Sequence, residues 1–84
     1  MKKLPKNHKV NGYIYTQVMR NRTKALYESD YGFYEVFRIK IRPAEEAFGK
    51  EYPERETYPG NEDFGKSAWC YSKYENALRK YNKL

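Results

Sequence analysis

The chain holds one cysteine, one histidine and one tryptophan among 84 residues. It has no apolar run near the ~18 residues that a membrane-crossing helix requires. A lone thiol closes no internal disulfide, and Cys70, between Trp69 and Tyr71, reads as a small core filler rather than an activated thiolate. The single histidine, His8, has no neighbour in sequence that would orient it as a general base. No CxxC pair, HExxH or Walker loop is present. These absences point away from an enzyme and from a bound metal or cofactor, and the expectation is a binding protein with none of the three. The opening MKKLPKNHKV is charged and lacks the apolar centre of a secretory signal, so a cytoplasmic location without membrane contact is expected. Asn21-Arg22-Thr23 matches a glycosylation acceptor but reads more simply as a turn.

What the chain does have is charge and tyrosine. Charged residues make up 33% and aromatics 18%, with ten Tyr and four Phe, enough apolar ring surface for one small folded unit. Tyr supplies area but keeps a hydroxyl that needs a partner, which favours a core open at its edges. The net charge of +6 is unevenly spread. Four lysines fall in the first ten residues, whereas residues 45–65 carry seven carboxylates against two cations, and the remainder is basic again. Such a chain can show opposite potentials on different sides.

Read along its length, the sequence predicts a mobile basic arm over residues 1–10 and a single α+β domain over 11–84. GYIYTQVMR and TKALYES read as strands, joined by a turn at NRT. FYEVFRIKIR, Phe33 to Arg42, reads as a third, with Phe33, Glu35, Phe37, Ile39 and Ile41 on one side and Tyr34, Val36, Arg38, Lys40 and Arg42 on the other. Residues 44–66 read as a long acidic loop in which Tyr52, Tyr58 and Phe64 serve as tethers and Tyr58-Pro59-Gly60 forms a type II turn. SAWCY is a candidate fourth strand, with its sole Trp, Trp69, expected in the core. Ser72 to Glu75 has capping-box spacing, followed by Tyr74, Ala77, Leu78, Tyr81 and Leu84 at helical intervals. The expected fold is therefore α+β: a small antiparallel sheet of three or four strands with one C-terminal helix packed on it.

Arg38, Lys40 and Arg42, with Tyr34 as a stacking ring, suit a surface that tracks a phosphate backbone. Alternating polar residues are equally what a half-exposed strand needs. Arg79, Lys80 and Lys83 on the helix would extend that surface only if the helix lies beside Arg38. Were it to cover the face of Phe37, Ile39 and Ile41, the two patches would separate. A competing interface is the acidic group Glu51, Glu54, Glu56, Glu62 and Asp63, which can mimic nucleic-acid charge toward a basic partner.

The series GYIYTQVMR, KALYE, FYEVFRIKIR and EDFGKSAWCY, followed by a short terminal helix, resembles small proteins of bacteriophages and mobile elements of Bacteroidetes-type bacteria. The resemblance implies a stoichiometric binder acting in a bacterial host cell. In its sharpest form it implies an anti-CRISPR-like inhibitor of a defence nucleoprotein such as an RNA-guided nuclease. A stand-alone nucleic-acid-binding accessory protein, with RNA ahead of DNA, and a virion or assembly component are the alternatives.

Overall fold

A computed structural model describes residues 1–84. In chain order the elements are β1 (Asn7–Val10), β2 (Tyr13–Arg20), β3 (Lys24–Ser29), β4 (Tyr34–Arg38), β5 (Lys40–Arg42), β6 (Glu45–Ala47), β7 (Lys50–Tyr52), β8 (Arg55–Thr57), β9 (Ala68–Tyr71) and α1 (Tyr74–Lys83), with one 3-10 turn at Asn61–Asp63. Five strands form an antiparallel sheet in the order β1-β2-β3-β4-β9, and β5-β8 and β6-β7 form two small ribbons. The α+β expectation of a small antiparallel sheet carrying one C-terminal helix is met, with five strands in the main sheet. No helix is long and apolar enough to cross a membrane.

The turns follow from their residues. Asn11 and Gly12 both have positive φ, 52° and 82°, which gives the two-residue turn whose twist matches a hairpin. Asn21 closes the next turn as its Oδ1 accepts the N–H groups of Thr23 (2.8 Å) and Lys24 (3.0 Å). Ser29, only 3% exposed, accepts the N–H groups of Tyr31 and Phe33 on its hydroxyl.

Both faces of the sheet are covered. On one, α1 lays Ala77 and Tyr81 on Leu26 and Val36, flanked by Met19, Tyr34 and Tyr71. On the other, Leu4, Tyr15, Ala25, Tyr27, Phe37 and Ala68 form the larger cluster, sealed by Tyr58 and Phe64. The strand parity switches within β2. Tyr15 and Gln17 pair with Ser29 and Tyr27, but Met19 pairs with Leu26 and Arg20 with Ala25, because Val18 is an extra residue in the ladder. This bulge sends Met19 to the helix face and Arg20 to the Tyr27 face.

Six expectations are corrected, one being that Cys70 fills the core, since it is exposed. The first ten residues are not a free arm: Leu4 is 7% exposed, β1 pairs with β2, and Lys2 N–H donates to the Glu54 carbonyl while Glu56 N–H donates to that of Lys2. FYEVFRIKIR is not one strand. Its neighbours run out, since β3 begins at Lys24 opposite Arg38 and β9 begins at Ala68 opposite Phe37, so the chain bends at Ile39 and pairs β5 with β8 instead. Residues 44–66 are largely ordered into β6, β7, β8 and the 3-10 turn, and Gly60 has φ −86°, which a type II turn does not allow at that position. The helix starts at Tyr74 with Lys73 as N-cap and no side-chain cap bond, so Ser72 and Glu75 form no capping box.

Candidate nucleic-acid interface

Antiparallel partners share a face, so the ladder decides which cations meet. Arg38 stands directly opposite Lys24, two residues beyond the Leu26–Val36 pair that carries the helix. The helix therefore lies on the Arg38 side, and Phe37 faces away from it. Lys24 Nζ donates to the main-chain oxygens of Tyr81 (2.7 Å) and Leu84 (3.2 Å), where the helix C-terminus gathers negative charge. That brings the last helical turn over β3 beside Arg38. On the other flank of β4, Trp69 pairs with Val36, and Lys80 Nζ sits 4.0 Å from the centre of its ring. Lys80, Arg79, Lys83, Asn76 and Tyr71 line a shallow hollow along the β9 edge.

A cationic strip results, running from Lys24 and Arg38 to Lys80 on Trp69 and on to Arg79 and Lys83. None of Arg38, Arg79, Lys80 and Lys83 makes an ion pair. Two like charges directly opposite across a ladder repel by a few tenths of a kcal/mol or more. The main-chain oxygens of Tyr81 and Leu84 relieve Lys24, whereas the Arg38 side chain makes no hydrogen bond or ion pair.

The other basic residues of the row go elsewhere. Lys40 and Arg42 belong to β5, and Lys40 Nζ is bonded to Asp63. Tyr34 lies four residues back from Arg38 along the strand, about 13 Å away. Its ring packs 5.6 Å from that of Tyr74 and its hydroxyl donates to Glu28 (3.1 Å), so it is occupied at the opposite end of the helix. The bond to Glu28 raises its pKa. The rings beside the cations are Trp69 under Lys80, Tyr81 under Lys24 at 4.5 Å, and Tyr71 in the hollow lined by Arg79, Lys80 and Lys83. Lys24 and Trp69 join the site: the sequence gives Lys24 no role and points Trp69 to the core. Trp69 is half-buried, serving as a platform for Lys80 as well as packing. A Trp followed eleven residues later by a Lys carries no local signal of their contact.

The acidic group also divides. Glu56 is 7% exposed and accepts from both Arg20 guanidinium nitrogens (2.6 and 2.8 Å) and from Leu4 N–H (2.9 Å). The Arg20 bond first, then Leu4 N–H and the nearby Lys3, hold its pKa down to about 2 against the opposing effect of burial. Asp63 accepts from Lys40 and from Gly60 N–H, which lowers its pKa in that order. Glu56 and Asp63 are therefore internal fasteners and not part of an acidic contact surface. Glu51, Glu54 and Glu62 remain exposed.

A second polar cluster lies under the larger core. Tyr58 donates to Glu35, its ring stacks 4.2 Å from that of His8, and it meets Phe37 (4.9 Å) and Tyr27 (5.3 Å) edge-on. Burial raises the pKa of Glu35 and, together with the Glu35 bond, that of Tyr58; burial lowers that of His8. His8 contacts Tyr58 by its ring face and makes no side-chain hydrogen bond to it, and no buried side-chain nitrogen or oxygen lacks a partner. The cluster closes the core. Comparison with protein-family models, with curated proteins and with solved structures found no match to the chain.

Proposed function

We propose that the protein is a non-enzymatic binder of nucleic acid, single-stranded RNA foremost, either free or held in a nucleoprotein. The observation that carries this reading is the position of Arg38, opposite Lys24 and beside the last helical turn, and in no ion pair. Phosphates would supply the missing counter-charge to Arg38, Lys80, Arg79 and Lys83. Trp69 and Tyr71 offer ring surface beside them, which is the combination that single strands use. A narrow strip beside a sheet edge suits a flexible strand better than a duplex groove.

The test is fluorescence anisotropy of labelled single- and double-stranded RNA and DNA across salt. Binding to single-stranded RNA with a log-log slope of roughly −2 to −3 corresponds to about three or four neutralised phosphates and supports the reading. No binding at low salt sinks it. The narrower reading, inhibition of an RNA-guided nuclease, rests on the sequence resemblance. Cleavage by such a nuclease that falls to zero at one equivalent of the protein supports that reading, and undiminished cleavage removes it.

A further inference from the structure

The β6-β7 hairpin ends in Phe48-Gly49, and the Ala47–Lys50 pair shows that these two residues are the whole turn. Both have positive φ, 52° and 75°. Gly49 accepts this freely, but position 48 is one where Asn, Asp or Gly are favoured and a bulky side chain is strained. Phe48 is also 101% exposed, so its ring touches nothing in the fold. An apolar ring held at the tip of a strained turn contributes nothing to stability. The base of the hairpin is aimed nonetheless: Arg55 bonds Glu45 at 3.3 Å and lies 5.6 Å from the Tyr52 ring centre. Apart from Arg55 of β8, β6 and β7 pack chiefly on each other.

The charge around the ring narrows what it can meet. Glu46 stands directly opposite Glu51, and Glu45 and Glu54 flank the base, against Lys50 alone near the tip. Like charges facing each other across a ladder are relieved by an oppositely charged neighbour. Anionic lipid and nucleic acid would both be repelled.

We propose that this hairpin is a protein-docking finger, with Phe48 entering an apolar pocket of a partner protein whose rim carries Lys or Arg to meet Glu46 and Glu51. The finger and the cationic strip use separate residues and separate chemistry. A ring anchored in a desolvated pocket is a common form of binding hot spot, and the charges around it set orientation and partner choice.

The experiment replaces Phe48 with the photoreactive residue p-benzoyl-phenylalanine and irradiates the full chain in its host cells. The expected product is a crosslink to a different polypeptide, mapping by mass spectrometry to an apolar pocket flanked by Lys or Arg. It should be lost on combined Glu46→Lys and Glu51→Lys and kept in the Arg38→Ala, Lys80→Ala background. Crosslinks to nucleic acid, to lipid or to a second copy of the chain overturn the proposal, as does the absence of any product. Loss in the Arg38→Ala, Lys80→Ala background overturns an independent finger while leaving nucleic-acid binding by the strip intact. With the crosslinked protein purified, Phe48→Asn should weaken binding about tenfold or more. Its melting temperature should be unchanged or higher, since Asn suits the turn; unchanged binding overturns the proposal.

Discussion

Arg20 and Glu56, separated by 36 residues, meet in a two-pronged bond with nitrogen-to-oxygen distances of 2.6 and 2.8 Å. The bond exists because the extra residue Val18 turns Arg20 from the helix face to the opposite one. Leu4 N–H reaches the same carboxylate, so one buried side chain fastens the N-terminal segment, β2 and β8 together.

Glu56→Gln should lower stability by about 2 kcal/mol at neutral pH, the cost of replacing a two-pronged charge-assisted bond to the half-buried Arg20 guanidinium with a neutral one. The wild-type contribution has a defined pH window. The folded pKa, about 2, lies below that of the unfolded chain, so the stabilisation is complete above the ordinary carboxylate range and is lost as pH falls toward 2. Urea titrations at pH 7, 4 and 2.5 should show the variant and wild type converging at the acid end. A constant difference would contradict this account.

Glu35 has the opposite sign. Burial raises its folded pKa, so its ionised form costs stability as pH rises through that value. Glu35→Gln keeps an acceptor for the Tyr58 hydroxyl and carries no charge. Its melting temperature at pH 7 should equal or exceed that of wild type, with the gap closing as pH falls into the ordinary carboxylate range. A large loss at pH 7 would mean that the carboxylate is needed in its charged form.

Within the cationic strip, Arg38→Ala with Lys80→Ala should reduce the magnitude of the log-log salt slope for single-stranded RNA by about 1.4, some 0.7 for each lost phosphate contact. Lys40→Ala with Arg42→Ala should leave it nearly unchanged, since those residues lie on β5 and Lys40 is bonded to Asp63. The reverse ranking would move the interface to β5. Trp69→Leu, which keeps apolar bulk but removes the stacking platform, should weaken RNA binding several-fold with a smaller change in slope.

Gly12→Ala should cost about 1 kcal/mol, because its φ of 82° is one that a side chain resists. Hydrogen exchange should then show loss of protection at β1 ahead of β2, as β1 has a sheet partner on one side only. Equal loss across the whole sheet would argue against a local hinge at this turn.

The main sheet was legible where side chains alternate and turns announce themselves, as in β2, β3 and the helix stripe of Ala77 and Tyr81. β1 was hidden by composition. Its sequence Asn-His-Lys-Val has little strand character, and only the Asn11-Gly12 pair that follows it signals a hairpin. The split of FYEVFRIKIR was illegible because nothing in that stretch changes at Ile39; what changes is the supply of neighbouring strands. The bulge at Val18 is likewise a property of the pairing. For the candidate site, Arg38 and the helix cations were readable as charge. Which face the helix covers was settled by Leu26 and Val36, and the sequence does not mark their side, since Ala25, Tyr27 and Phe37 beside them are apolar too. Glu56 looked like one carboxylate among seven, and its burial depends on Arg20, far away in sequence.

The hydrogen bonds between Lys2 and residues 54 and 56 also bear on the order in which the protein can assemble during synthesis. The β1 to β4 meander uses contacts close in sequence and can form as soon as those residues leave the ribosome. Leu4 has no lid until β8 arrives, and the larger core stays open on one side until Tyr58 and Phe64 follow. Residues 2–4 are thus made well before the segment that locks them in place, and extra bulk beside Lys2 would interfere at that closing step rather than earlier.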